Sequence, residues 1–226
     1  MKRSEINSLI IEAIEFFKDQ NFNLPPFAFW APDKWKKAGA EEDEIRRNML
    51  GWDLTDFGLG DFVKTGLLLF TIRNGNLAEP QGKTYCEKIM VVRPEQVTPM
   101  HFHFNKTEDI INRGGGNLIC RLHNSTSDEV LDEKEPVVVS TDGLRRELPA
   151  GAEVNLGPGE SITLPARMYH SFWGQRGTGQ VMVGEVSAVN DDQSDNRFLE
   201  ELGRFPEIEE DEAPAYLLCS EYPPAE

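Results

Sequence analysis

Two histidines stand two apart at His101 and His103, a carboxylate follows at Glu108, and a third histidine lies far along the chain at His170. Residues two apart on a strand point to the same side, so a strand over Gln96–Phe104 turns both imidazoles one way. Three imidazoles and a carboxylate suit Mn, Fe, Co, Ni or Zn and leave coordination positions open for exchange. By itself a His-x-His pair is weak evidence, because the same spacing serves a solvent-facing edge or a hydrogen-bonded pair in a core. Only four histidines exist. The fourth, His123, ends a strand and carries no assigned role.

Four further residues sit where their chemistry is conspicuous. Glu185 shares one side of a strand over Gln180–Val189 with Val181, Val183, Ser187 and Val189. An acid on such a side serves a site or pairs with a buried cation. The other side, Met182, Gly184, Val186 and Ala188, is also apolar, so parity does not decide which side faces in. Lys88 lies between Cys86 and Met90 on its own side, and either reaches inward or snorkels out from an edge. Lys106, between His103 and Glu108, either brings its ammonium to the mouth of a metal loop or faces solvent on a turn. Asp192, just past the Glu185 strand, either contacts a bound oxygen or belongs to a polar turn, Asn190-Asp191-Asp192.

Positioning these groups requires a β framework. Strand-like runs fall at Gly66–Ile72, Tyr85–Val92, Gln96–Phe104, Gly116–His123, Val137–Ser140, Glu153–Leu156, Glu160–Leu164 and Gln180–Val189. Asn74-Gly75 reads as a hairpin turn, and Asp142-Gly143 and Gly157-Pro158-Gly159 as turns. Short strands at short intervals predict an all-β sandwich or barrel. Before them, Ile6, Leu9, Ile10, Ala13, Ile14 and Phe17 have helical spacing over Ser4–Asp19, with Ser4 as its cap. Shorter helices are predicted over Pro32–Lys37 and Glu41–Met49. The expected organisation is a single domain over 1–226. Residues 1–50 form a helical arm packed on the barrel, 51–197 the β core and 198–226 an extension. In that extension the acidic run Glu207–Glu212 reads as a solvated face or loop.

Composition narrows the function classes. Hydrophobic residues make up 39% of the 226 and charged residues 27%, enough for a globular core. The net charge of -16 opposes binding to phosphate backbones, so no nucleic-acid partner is expected. No apolar window is long enough for a membrane span, and charged residues interrupt any signal-peptide core near the N-terminus. Three cysteines without CxxC spacing argue against a disulfide framework or a cysteine zinc site. Cytoplasmic location is the default expectation.

Taken together, the motifs carry a family resemblance. His101-x-His103-x4-Glu108, closed by Gly114-Gly115-Gly116, resembles the first cupin motif, and the stretch from Gly159 to His170 resembles the second. Arg167 and Glu95 stand where those motifs usually carry glycine, and Gly174 where asparagine is common. The resemblance implies a jelly-roll barrel with His101, His103, Glu108 and His170 pointing into it. The whole chain is most similar to the D-lyxose isomerase family of sugar ketol-isomerases. Leu24-Pro25-Pro26-Phe27, Lys106-Thr107-Glu108 and the stretch Gly184–Asp192 carry that likeness. It implies one divalent ion, manganese first among Mn, Co, Fe and Zn, a small sugar as substrate and a homodimer.

Aldose–ketose isomerisation moves a proton between C1 and C2 through an enediol, which needs an electrophile at the oxygens and a base over the carbon. Glu185 is the leading candidate for that base and Lys106 for its helper, with Asp192 and Lys88 as sugar-binding groups. The expected substrates are D-lyxose and D-xylulose, with D-mannose and D-fructose beside them. Two rivals use the same ligands, an iron-dependent cupin dioxygenase and a non-catalytic sugar-binding cupin.

Overall fold

The computed structural model describes residues 1–79, 81–191, 194–204 and 206–224. Asp192 therefore lies outside the described residues. The chain starts with α1 (Arg3–Asp19), α2 (Pro32–Trp35) and α3 (Asp43–Arg47). Strands follow as β1 (Gly51–Thr55), β2 (Leu67–Arg73), β3 (Tyr85–Val92), β4 (Thr98–His103), β5 (Glu108–Gly115), β6 (Leu118–Ser125) and β7 (Leu131–Asp132). The series continues with β8 (Val137–Thr141), β9 (Leu144–Leu148), β10 (Glu153–Leu156), β11 (Ser161–Leu164), β12 (Met168–Gly174), β13 (Val181–Ala188) and β14 (Asn196–Phe198).

Two antiparallel sheets face each other. One runs β1-β2-β3-β13-β5-β11-β8-β9, and the other runs β10-β6-β12-β4-β14 with β7 beside β6. Their inner faces form a core of alternating residues, with Met90, Val92, Ile110 and Val183 from the first sheet and Leu118, Cys120, Leu122 and Phe172 from the second. This is the jelly-roll expected from the cupin motifs, and such closure leaves few open strand edges.

A second core lies outside the larger sheet. Ile6, Ile10, Ala13 and Phe17 of α1 pack on Trp52, Leu54, Phe70 and Ile89, the outward residues of β1, β2 and β3. Phe17 stacks on Trp52 with ring centroids 6.4 Å apart, and the Trp52 indole N–H donates to the Ala28 carbonyl at 2.9 Å. The helical arm thus buries the same strands whose other face lines the barrel.

Two local expectations are corrected by long-range contacts. Lys2, not Ser4, is the cap residue of α1, with the Glu5 carboxylate accepting from its backbone N–H at 2.9 Å. Ser4 instead gives its N–H and hydroxyl to Asp211 at 2.9 and 2.7 Å. The acidic tail is therefore not merely a solvated face. Arg3, buried in α1, binds Glu210 and Glu221, and Asn7 binds Glu212. A helix N-terminus with unpaired N–H groups attracts carboxylates. The second correction concerns Asn74-Gly75, which does not make a two-residue hairpin. β2 ends at Arg73 and β3 begins at Tyr85, while Asn74 donates its amide to the Asn190 carbonyl at 3.0 Å. Asp142-Gly143 does make the predicted turn, with φ of 50° and 81° joining β8 to β9.

Because α1 shares a core with the barrel wall, Phe17→Ala should cost the whole chain about 3–5 kcal/mol. Denaturant unfolding followed by Trp fluorescence and far-ultraviolet dichroism should report one shifted transition. A normal barrel transition with separate early loss of helix would show the arm to be independent.

Candidate active site

β4 and β12 run side by side, with His170 opposite His101 in register. Alternation along β4 turns His101 and His103 inward and leaves Phe102 outside, where it packs on Tyr169 and Phe104. The three imidazoles are buried, and their candidate ligand nitrogens all lie within 4.8 Å of one another. His123 faces the other way on β6 and takes no part. Phe198 of β14 lies against His101 at 5.3 Å between ring centroids.

The hydrogen bonds of these rings say which nitrogens are free. His101 Nδ1 lies 2.8 Å from the Pro99 carbonyl, and His170 Nδ1 lies 3.0 Å from the Met168 carbonyl. A carbonyl only accepts, so each Nδ1 carries the proton and each Nε2 exposes a lone pair. Burial, with His170 and His103 close by, holds His101 well below the usual histidine range, and burial also lowers His103. Both are neutral donors at neutral pH. His170 Nε2 and His103 Nδ1 are buried without a hydrogen-bond partner. The Glu108 Oε1 atom sits 2.9 Å from His170 Nε2, and Oε2 sits 3.3 Å from His103 Nε2. With its Nδ1 proton on the Met168 carbonyl, a neutral His170 turns an Nε2 lone pair towards the Glu108 carboxylate, an arrangement that a divalent cation shared by the two would relieve. The donor set therefore fits a divalent metal.

Glu108 opens β5 after a tight loop. Asp195 holds that loop by accepting from the backbone N–H groups of Asn105 and Lys106 at 2.8 and 3.0 Å. Arg167 closes it from the other side, its N–H donating to the His103 carbonyl at 2.7 Å while its guanidinium lies over Phe102 and Phe104. Arg167 has φ of 64° and Glu95 has φ of 61°. The two positions where the motif usually has glycine thus keep glycine's backbone with larger side chains.

Next to the histidines lies a chain of buried charges. Lys106 Nζ is 2.7 Å from Glu108 Oε2 and 2.8 Å from Glu185 Oε1, and Lys88 Nζ is 3.3 Å from the same Glu185 oxygen. Glu185 and Lys88 are opposite each other in the β13–β3 register. Burial disfavours ionising Glu185, but Lys106 and Lys88 outweigh it and hold the carboxyl below its usual range. Burial likewise opposes the charge on Lys106, and Glu108 and Glu185 more than offset it, raising its pKa. Asn190 Oδ1 accepts from Lys88 at 2.7 Å and from Lys106 at 3.3 Å, and Ser187 donates to Glu185 at 3.1 Å.

Lys88, Lys106 and Glu185 therefore all face the interior, which local parity left open. They share a cavity of about 70 Å³ with His101, His103 and Glu108, walled by Phe172, Phe198 and Arg204. Asp195 and Arg204 carried no signal of their own in the sequence, and Asn190 appeared there only in a polar turn. Asp195 is 90 positions from Asn105 along the chain, and only folding reveals that it supports the loop.

Two antiparallel sheets closed around an inward histidine cluster define a cupin, and solved structures agree on the fold. A mutant L-ribose isomerase of Acinetobacter sp. DL28 in complex with L-ribose superposes with a TM-score of 0.60 at 14% identity, covering 92% of this chain and 98% of that one. The L-ribose isomerase of Cellulomonas parahominis does so at 0.56 and 16%, with the same coverage. Among sequences, the chain is 51% identical to a D-lyxose/D-mannose isomerase of Serratia proteamaculans and 50% identical to one of Escherichia coli O157:H7, each over 98% of both chains. The D-lyxose isomerase family profile matches residues 1–222. The chain belongs to the D-lyxose isomerase family.

Metal binding to the folded state should appear as stabilisation. After chelator treatment, adding a divalent ion at 100 times its Kd should raise unfolding free energy by about 2.7 kcal/mol, read as a rise in Tm. His170→Ala should remove the effect. An equal rise in that variant would count against the histidine cluster as the metal site.

Proposed function

We propose that the protein is a metal-dependent aldose–ketose isomerase interconverting D-lyxose with D-xylulose and D-mannose with D-fructose. The reaction is carried by a single cupin domain over 1–226, with a 1–50 arm, a 51–197 core and a 198–226 extension. The observation that carries this reading is the buried run Glu108–Lys106–Glu185–Lys88 beside three buried histidines, in a chain whose relatives are named for D-lyxose and D-mannose. His101, His103, Glu108 and His170 would hold one divalent ion, proposed as manganese. When bound, that ion supplies a Lewis acid at the substrate oxygens and stabilises negative charge as it develops there.

Glu185 begins ionised, which is the form a base requires. It takes the proton from C2 of the open-chain aldose, so the C2–H pair becomes the C1–C2 double bond and the C1 carbonyl pair moves onto O1; the O2 proton then passes to O1, the O2–H pair forms the C2 carbonyl, and the double-bond pair takes the proton back from Glu185 at C1. Lys106, charged and 2.8 Å from Glu185, donates a hydrogen bond to the oxygen that gains negative charge at C1. It also holds Glu185 in place between proton removal and return. Lys88 performs the same holding role from β3, and with Asp192 it is proposed to bind sugar hydroxyls. Burial keeps water from the carboxylate while it carries the substrate's proton.

An oxygen-consuming cupin needs no such proton shuttle, and a pure binding module needs no buried base. Glu185→Gln keeps the shape of the site and removes the base. We expect it to retain the metal and bind sugar, with kcat reduced by about 10²–10⁴-fold. Ketose formation close to that of the unaltered protein would sink the role given to Glu185. Stripping the metal and restoring Mn, Co, Zn or Fe singly, with a panel of aldoses, should give the highest turnover with Mn on D-lyxose or D-mannose. No ketose with any ion would overturn the isomerase reading.

A further inference from the structure

Among the described residues, every hydrogen bond and ion pair of the Glu185 carboxylate ends on one of its two oxygens. Oε1 takes Lys106 Nζ at 2.8 Å, Lys88 Nζ at 3.3 Å and the Ser187 hydroxyl at 3.1 Å. Oε2 takes none of them, and Glu185 lines the cavity that also holds His101, His103 and Glu108.

The two ammonium groups that meet on Oε1 meet again on Asn190. Its Oδ1 accepts from Lys88 Nζ at 2.7 Å and from Lys106 Nζ at 3.3 Å. Lys88, Glu185 Oε1, Lys106 and Asn190 Oδ1 thus close a ring in which donors and acceptors alternate. An ammonium only donates, so two of them converging on one amide atom identify that atom as the oxygen. Asn190 is itself held by its backbone. Its N–H donates to Asn74 Oδ1 at 3.0 Å, and its carbonyl accepts from Asn74 Nδ2 at 3.0 Å. Asn74 is buried and accepts at its own carbonyl from Asn48. The Asn190 side chain is therefore presented from a fixed peptide.

The acceptor at this corner is uncharged, and that matters. Glu108, Lys106, Glu185 and Lys88 already balance in sign. A neutral oxygen completes the shells of both lysines without drawing either from Glu185, whereas its loss leaves two buried donors seeking another partner. They would then pull the Glu185 carboxylate out of place.

We infer that Asn190 is a positioning residue, which pins Glu185 through Oε1 by closing the ring and leaves Oε2 as the oxygen that carries the substrate proton. This rests on the isomerase reading above. The C2–H bond breaks as the Oε2–H bond forms, and the Oε2–H bond breaks as the proton returns to C1. Asn190 acts on this step through the two lysines and not by touching the sugar.

The test uses the metal-loaded protein with D-lyxose carrying deuterium at C2, and reads kcat, KM and the deuterium found at C1 of the ketose by NMR. Asn190→Leu keeps the shape and removes the oxygen. It should lower kcat by about 10–10²-fold, since a base displaced by about 1 Å costs that much, and leave KM within about threefold. Deuterium retained at C1 should fall about twofold or more, because a loosened carboxyl group exchanges with water before the proton returns. Asn190→Asp keeps an oxygen at the corner and should hold kcat within about fivefold. Should Asn190→Leu not fold, as judged by dichroism, Asn190→Ala adds no bulk at this half-buried position and should give the same readings. Unchanged kcat and deuterium retention in a folded Leu or Ala variant would overturn the inference. So would equal losses of kcat in the Leu and Asp variants, or a rise in KM alone, which would make Asn190 a sugar contact. Ketose without deuterium at C1 from the unaltered protein would overturn it too and leave the isomerase reading standing. No ketose at all would remove that reading and the inference with it.

Discussion

Glu108, Lys106, Glu185 and Lys88 alternate in sign through the barrel interior, each almost fully buried. Taking one such charge out of water costs several kcal/mol unless a partner and further hydrogen bonds compensate. Here every charge touches one of opposite sign, and Asn190 and Ser187 accept or donate at the remaining positions. The run is neutral as a whole, yet it holds ionised carboxylates and ammonium groups side by side. The surrounding structure is organised to keep it assembled.

Three elements do this from different parts of the chain. β13 and β3 bring Glu185 and Lys88 face to face through the ladder. The loop between β4 and β5, held by Asp195, sets Lys106 between the two carboxylates. The arm works from behind, since α1 buries the outward side of β1, β2 and β3. The acidic tail is tied to the start of α1 through Arg3, Ser4 and Asn7. It leads on to the buried Cys219. The same residues that stabilise the fold thus shape the site, which is common where a buried network specifies one arrangement.

Much of the framework was legible because it depends on local period. The β3 run Tyr85–Val92 and the β10 run Glu153–Leu156 have the bounds read from alternation. The α1 helix follows its apolar spacing to within one residue. By contrast β5, β9 and β12 were not singled out as strands. β5 mixes Glu108, Asp109 and Arg113 with glycines, β9 is mostly exposed, and β12 mixes buried and functional residues without clean alternation. Their conformation comes from pairing with neighbours rather than from their own pattern. The same cause explains Asn74-Gly75, whose strong turn chemistry yields to contacts with Asn190 and Tyr85.

For the site, residue types and order sufficed to single out His101, His103, Glu108 and His170, because strand parity and motif spacing are properties of short stretches. Parity could also mark Glu185 and Lys88 as conspicuous. It could not say that they face each other, since both sides of their strands are apolar and only pairing in the sheet decides which side is interior. Lys106 as a buried bridge, Asp195 as the brace of its loop, and Arg204 paired with Asp53 follow from contacts spanning roughly 80–150 positions of chain. The sequence by itself singled out the candidate donors and the kind of chemistry they would support. The tertiary structure alone decided which charges meet, because that depends on distances that no local period encodes.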